Sequence, residues 1–329
     1  MRPRWEGFRG PIAAGIERYL AHKRALGCRF HTEEKALCLL DRFLVERGVK
    51  AIDEIGPELI EAFLASRPRT RPRSYNHLLC TVRRLYDWLV AQGDLPSSPV
   101  RTRPRRETSH RIPFLFNADL ARRLLEAAAR LPDRSHAPLR GQTYRTMFAL
   151  LYGLGLRVGE VARLHVGDVD LDRQLLVIRD TKFSKSRLVP FGPRIGQLLN
   201  DYLAARTQRC GSLSADALVF SFHGSKPISA TAIGTTLHHL FAELGLQIPP
   251  GASRPRVHDL RHSFAVGTLL RWYREGLDPA TRLLHLSTFL GHADPASTAV
   301  YLTITPELLA QASRRFERFA GEKLREVLT

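Results

Sequence analysis

Apolar residues recur at the three- and four-residue spacing of an α-helix along most of the chain, and breakers cut the pattern at short intervals. A chain patterned this way has to pack helix against helix. Ala36, Leu39, Leu40, Phe43 and Leu44 make one stripe, with Thr32 as its expected N-cap and Gly48 as its stop. Leu78, Val82, Leu85, Tyr86 and Leu89 make another, opened by Ser74 and closed by Gly93. Pro57 is placed to start a shorter helix carrying Leu59, Ile60 and Phe63, and residues 11–27 give a fourth. The first hundred residues are therefore expected to form a bundle of four or five helices.

From about residue 114 the pattern is again mostly helical, with one exception. Leu175–Arg179 and Arg187–Phe191 are short β-rich runs on either side of Asp180-Thr-Lys-Phe-Ser-Lys-Ser186, which predicts a hairpin with a basic loop. The expected fold class is mainly α with a small β-hairpin or sheet. Two Arg-rich runs, Arg67-Pro-Arg69-Thr-Arg71-Pro-Arg73 and Arg101-Thr-Arg103-Pro-Arg105-Arg106, interrupt the helices. Alternating Pro cannot continue a helix, so these runs are expected to present charge from extended backbone. The second run follows Pro96, Ser97, Ser98 and Pro99 and reads as the start of an interdomain connection. The predicted organisation is a helical domain over 1–105, an Arg-rich linker over 106–115 and a second domain over 116–329.

Charge narrows the partner. Lys and Arg number 50 against 32 Asp and Glu, a formal +18. Residues 1–115 hold 22 of the cations and 13 of the anions, so the denser positive field lies in the shorter first segment. Such a field suits a polyanion, most often nucleic acid. Arg67, Arg69, Arg71, Arg73, Arg103, Arg105, Arg106 and Lys185 are the candidate phosphate contacts, against the plainer reading of solvated charge runs. No apolar run approaches the ~20 residues of a membrane-spanning helix. The charged stretch Met1–Pro11 is followed by no apolar core, so no secretory leader is expected. Cys28, Cys38, Cys80 and Cys210 form no Cys-x-x-Cys pair, which predicts reduced thiols in a cytosol and neither a zinc site nor a disulfide framework.

Several residues could do chemistry. In Tyr152-Gly-Leu-Gly-Leu-Arg157-Val-Gly-Glu160 two glycines permit a tight turn, and Arg157 falls where a new helix begins. An Arg fixed there presents a donor fork that suits phosphate, although a surface cation has the same signature. Glu160 reads as a structural acceptor rather than a base. Lys182 lies in the hairpin loop, a solvated charge unless the loop reaches a reacting group. His258, Arg261 and His262 fall at i, i+3 and i+4 of a helix and share a face. His258 and His262 also have the spacing of a zinc helix, but Asp259 is shorter than the Glu that motif requires and Arg261 would set a cation beside the metal. His292 precedes a turn and a helix start at Asp294 or Ser297, which brings Tyr301 close to it. Taken singly, a Tyr in such a helix is core with a wet hydroxyl.

Taken together, an ordered Arg, Lys, His-x-x-Arg, His and Tyr in one basic domain resembles the tyrosine recombinase (phage integrase) family. The matching stretches are Gly155–Glu160, Lys182 before Arg187-Leu-Val-Pro190, His258–Phe264, and Leu290–Asp294 leading to Tyr301. The likeness covers about 116–310 as a catalytic domain, and the first bundle resembles the family's core-binding domain more loosely. The thirty residues between Arg261 and His292 exceed those of compact members. With Tyr301–Leu308 they look like integrases of transposable elements that encode several adjacent recombinases.

The resemblance implies a site-specific DNA recombinase or integrase that cleaves and rejoins duplex DNA through a 3′-phosphotyrosyl link. It implies Tyr301 as nucleophile, Arg157 and Arg261 as a clamp on the phosphate, and Lys182 as the acid for the departing 5′ oxygen. His258 would take or hold the tyrosine proton, and His292 would bond the phosphate. It implies no cofactor and no metal, and a homo-oligomer on DNA, as a tetramer, with or without partner recombinases, acting in the cytoplasm at the nucleoid. An apolar stripe of Leu308, Leu309, Ala312, Phe316, Phe319 and Leu324 suits a tail helix that docks on a neighbour or on its own domain. A type IB topoisomerase-like enzyme, a DNA-binding accessory subunit and a zinc hydrolase are the other readings.

Overall fold

The computed structural model describes residues 7–28, 30–106, 113–179, 186–224, 226–248, 253–292 and 294–303, with 308–310, 313, 314, 317 and 320 of the tail. The chain divides into two compact units, Met1–His110 and Arg111–Thr329.

The first unit is built from α1 (Ala13–Ala25), α2 (His31–Glu46), α3 (Pro57–Ala65) and α4 (Pro72–Ala91). Helix α4 packs on both α1 and α2. Ile16 and Tyr19 of α1, Leu37, Leu40 and Phe43 of α2, Phe63 of α3 and Leu78, Val82, Leu85 and Leu89 of α4 form its core. Two starts differ from expectation. Helix α2 opens one residue before Thr32, after Phe30 in the left-handed region, and has no side-chain cap. Helix α4 opens at Pro72, inside the Arg-Pro run. Proline suits a first helical position, since its missing N–H would have had no partner there.

The second Arg-rich run is strapped to this bundle. The side chain of Asn76 donates to the Arg105 carbonyl and accepts from its N–H, both at 2.8 Å. Arg105 lies 3.8 Å over the ring of Tyr75 and donates to the Arg69 carbonyl, and Arg83 donates to the Thr102 carbonyl. Arg67 and Arg69 are half-buried, whereas Arg71, Arg73, Arg103 and Arg106 stand exposed.

The second unit contains α5 (Ala118–Ala129), α6 (Arg140–Gly153), α7 (Val158–Ala162), α8 (Pro193–Cys210), α9 (Ala230–Glu243), α10 (Val257–Arg274), α11 (Pro279–Leu290) and the four-residue α12 (Ala296–Ala299). A 3-10 turn, Val300–Thr303, follows α12. Helix α6 packs against α5, α8 and α10 at once. Its buried residues therefore run round the whole helix, Met147, Phe148, Leu150 and Leu151 among them, rather than along one stripe.

The predicted hairpin is present as β2 (Leu175–Ile178) and β3 (Arg187–Pro190), and a two-residue strand, β1 (Val169–Asp170), completes an antiparallel sheet in the order β1-β2-β3. Register pairs Leu175 with Pro190 and Ile178 with Arg187. Strand alternation then buries Val189 completely and leaves Leu188 60% exposed. Arg187 shares the inward face with Val189, and that placement shapes the site below. The long segment after Arg261 is the remainder of α10, a turn, and α11 capped by the Asp278 side chain. Leu308–Ala310 are helical and Leu308 is buried, while the tail positions Ala312, Phe316, Phe319 and Leu324 lie outside the described residues. Among the described residues no helix is long and apolar enough to cross a membrane.

Candidate active site

The site begins at the turn between α6 and α7. Gly155 has φ +59, and a Cβ there would lie 2.5 Å from Phe264 Cδ1 and 2.9 Å from Leu290 Cδ2. Only glycine admits both that backbone and that approach. The turn delivers Arg157 to the N-cap of α7 with its side chain 28% exposed.

Three arginines from three elements converge on the end of α11. Arg187 of β3 donates from Nε to the carbonyl of Phe289 at 2.9 Å. Arg261 of α10 donates to the carbonyl of Leu290 at 2.7 Å and to that of Gly155 at 2.6 Å. Arg157 donates to the carbonyl of Gly291 at 2.6 Å. Successive carbonyls at a helix C-terminus lack intrahelical partners and carry the negative end of the helix dipole, so cations fit there. Gly291 is left-handed at φ +68, and a Cβ on it would meet Arg187 Nη1 at 2.7 Å.

One carboxylate ties two of these arginines together. Glu160 accepts both terminal nitrogens of Arg187 at 2.9 Å, and Arg157 Nη1 at 2.7 Å. Its side chain is 2% exposed. Burial pushes its pKa up, but the bonds and charge of Arg187 and then the bonds from Arg157 outweigh this and hold it at about 2. Glu160 is thus an acceptor fixed in the ionised form, as its position in the sequence suggests. Arg261 is fully buried, and its Nε–H is a buried donor with no hydrogen-bond partner among the described residues. Burial and the charge of Arg157 pull its pKa down to about 10, so it keeps its proton at neutral pH. Three guanidinium groups gather here, and among the described residues Glu160 is the carboxylate that bonds to them. The excess of positive charge in a desolvated place, with an orphan donor in it, suits an anion.

Histidines and the tyrosine complete the cluster. Tyr301, in the 3-10 turn after α12, is 4% exposed. Its hydroxyl lies 2.9 Å from Nδ1 of His262. Burial raises its pKa, and the charge of Arg261 and Arg157 works against that rise. The ring of His292 lies 6.3 Å from that of Tyr301, nearly parallel, and its Nδ1 meets Thr298 Oγ1 at 2.6 Å. Burial, then Arg261 and Arg157, depress the His292 pKa to about 4, so it is neutral at pH 7. His258 stands edge-on to His262 at 4.6 Å. Part of the His258 ring stays exposed, yet the protein around it, then His262 and Arg261, keep it below the usual imidazole range.

Arg157, His258, Arg261, His292 and Tyr301 are brought into one cluster. Lys182 and Lys185 belong to 180–185, outside the described residues. Sequence reasoning assigned no role in the site to two members. Arg187 carried a detectable signal, its period-two relation to Val189; His262 had only its i+4 spacing from His258. Among the described residues no group of three or more His, Cys, Asp or Glu side chains is placed to hold a metal ion.

The model of the phage integrase family matches residues 116–307. The chain belongs to the phage integrase family. It is 36% identical over 308 residues to y4rB, a candidate integrase/recombinase of Sinorhizobium fredii (strain NBRC 101917 / NGR234), covering 92% of this chain and 96% of y4rB. It is 29% identical over 275 residues to tyrosine recombinase XerD of Ralstonia nicotianae (strain ATCC BAA-1114 / GMI1000), covering 83% and 82% of the two chains. Among solved structures, the fold is shared with the Tn1549 transposon integrase in complex with transposon right end DNA. The TM-score is 0.64 at 16% identity, over 93% of this chain and 99% of that one. As a phage integrase family member the chain is a tyrosine-type DNA strand transferase, and the family match spans every residue of the cluster.

Proposed function

We propose that this recombinase cuts and rejoins duplex DNA at specific sites through a covalent 3′-phosphotyrosyl link at Tyr301. The observation that carries the reading is the buried Tyr301 hydroxyl beside His262, set against an over-positive cluster of Arg157, Arg187 and Arg261. A phosphodiester resists attack because its oxygens are negative. Cleavage needs that charge neutralised, a nucleophile in place and a proton for the leaving oxygen.

The residues divide these tasks. The orphan Nε–H of Arg261 and the part-exposed fork of Arg157 take the non-bridging oxygens. His292, neutral at pH 7, donates to the same phosphate. Tyr301 oxygen bonds to phosphorus as the bond to the 5′ oxygen breaks, and Lys182 supplies that oxygen's proton. His258 helps hold the tyrosine proton. Because the link conserves the phosphodiester, a 5′-hydroxyl from another strand reverses the step, so strand exchange follows without a nucleotide cofactor. Arg67, Arg69, Arg71, Arg73, Arg103, Arg105, Arg106 and Lys185 contact DNA phosphates. The active form is a tetramer on two DNA sites, working in the cytoplasm at the nucleoid on behalf of a transposable element, alone or beside partner recombinases.

The test is a suicide DNA substrate from the cognate element end, run in EDTA. A covalent protein–DNA adduct is expected, and Tyr301→Phe eliminates it. An adduct that persists in Tyr301→Phe overturns the assignment of the nucleophile. Supercoil relaxation without joining of two sites would favour the topoisomerase reading instead.

A further inference from the structure

We infer that His262, backed by the carboxylate of Asp259, is the base that takes the hydroxyl proton of Tyr301. The inference rests on Tyr301 being the nucleophile. Tyrosine is a weak nucleophile at neutral pH until its proton is drawn away. Here burial makes that ionisation harder still, so proximity to Arg261 and Arg157 alone leaves the hydroxyl protonated.

The geometry has the three members of an activated-nucleophile system. His262 Nδ1 is 2.9 Å from the Tyr301 hydroxyl. Its other nitrogen, Nε2, faces Oδ1 of Asp259 at 4.0 Å. Asp259 is fully buried, and its Oδ2 accepts the N–H of Arg256 at 2.9 Å, which fixes the carboxylate in the first turn of α10. Asp259 and His262 stand three residues apart on that helix, so they meet on one face. A carboxylate 4.0 Å from Nε2 favours the ring proton on that nitrogen, which turns the Nδ1 lone pair to the hydroxyl. Around His262, α10 also supplies His258 and Arg261 and the 3-10 turn supplies Tyr301. His292 lies on the Tyr301 ring beyond.

The step balances. As the Tyr301 oxygen bonds to phosphorus, its proton passes to His262 Nδ1, and the imidazolium so formed faces the Asp259 carboxylate. The bond to the 5′ oxygen breaks, and that oxygen takes a proton from the acid on the leaving side. In the joining step both protons return.

Single-turnover cleavage of the suicide substrate tests this in the full chain. His262→Gln is expected to slow cleavage about 100-fold with DNA binding unchanged. Its rate should climb steadily with pH as phenolate forms unaided, more steeply than that of the wild type. The defect should persist on a substrate with sulfur in place of the bridging 5′ oxygen, since that leaving group needs no proton. A wild-type rate and pH profile in His262→Gln, or full rescue by the sulfur substrate, overturns the inference. Asp259→Asn keeps an acceptor for Arg256 and is expected to slow cleavage about tenfold or more. Should His262→Gln fail to fold, nitrogen-15 histidine spectra of the wild type decide: the Nε2–H tautomer at His262 supports the base, and the Nδ1–H tautomer overturns it. An adduct surviving Tyr301→Phe would sink the nucleophile itself; its loss in Tyr301→Phe with normal His262→Gln cleavage would sink only the base.

Discussion

In the N-terminal unit Arg71, Arg73, Arg103 and Arg106 stand exposed, whereas in the C-terminal unit Arg261 is buried and Arg187 is largely covered, each on named acceptors. The residue type is the same and the physics is opposite. An exposed guanidinium contributes a field that salt screens and that costs the fold little. A buried one is desolvated, has to be held by strong acceptors, and in return keeps its donors in a fixed direction. The first arrangement suits gripping a backbone of many phosphates; the second suits one phosphate in one pose. Substitutions at the two kinds of arginine should therefore separate cleanly into effects on stability and cleavage and effects on salt-dependent binding.

Arg261 should show the largest effect. Arg261→Ala leaves the carbonyls of Gly155 and Leu290 without their charged donor in a fully buried place. A loss of about 3 kcal/mol in urea unfolding of the full chain is expected, together with loss of cleavage. Arg261→Lys keeps the charge but not the fork, so it should cost less stability while still cutting cleavage by a hundredfold or more. Equal stability of Arg261→Ala and the wild type would break the comparison, because it would make this arginine as free as the exposed ones.

Glu160 comes next, and pH reads it. Its pKa of 4.5 falls to about 2 on folding, which corresponds to roughly 3 kcal/mol at neutral pH. A depressed carboxylate stabilises above its unfolded pKa, and that contribution is lost as pH falls through the folded value. The wild type should thus lose stability between about pH 5 and pH 2, and Glu160→Gln should be less stable at pH 7 with a flatter acid limb. Parallel acid limbs in urea titrations of the two proteins would show that Arg157 and Arg187 do not depend on this carboxylate.

These two predictions also mark where the sequence was legible. Arg157, His258, Arg261, His292 and Tyr301 could be named because each occupies its place in an ordered motif, whatever the fold does around it. Arg187 shares a face with Val189 by strand alternation, but its role could not be named, because Glu160 and Phe289 meet it only in the fold. His262 could be placed on the face of His258 and Arg261, but its role could not, because its partner Tyr301 lies 39 residues away and arrives through α11, α12 and a 3-10 turn. The bundle's stripes were readable from periodicity, since each helix buries one face. The start of α4 was not, because proline breaks helices in general yet suits their first turn. Strand β1, two residues long, has too little pattern to show.

A smaller effect is expected where the bundle holds its own Arg-rich strap. Asn76→Ala removes both bonds to the Arg105 backbone, but these groups lie near solvent and water replaces the partners. A stability loss of about 1 kcal/mol follows. Because the strap carries Arg103, Arg105 and Arg106, DNA affinity should weaken with it. Unchanged affinity would separate strap geometry from phosphate contact.

The smallest effect on stability belongs to Arg71→Ala and Arg103→Ala, whose side chains touch water rather than a core. Each should change unfolding by less than about 0.5 kcal/mol. Their signature is instead in the salt dependence of DNA binding. An arginine that neutralises one phosphate releases about 0.9 counterion, so each substitution should flatten the slope of log affinity against log salt by about one. Arg261→Ala, by the same reasoning, should move that slope by no more than one despite its far larger cost to the fold. If the exposed arginines leave the slope unchanged, their charge is only a solvated surface, and the grip on DNA has to be sought elsewhere on the chain.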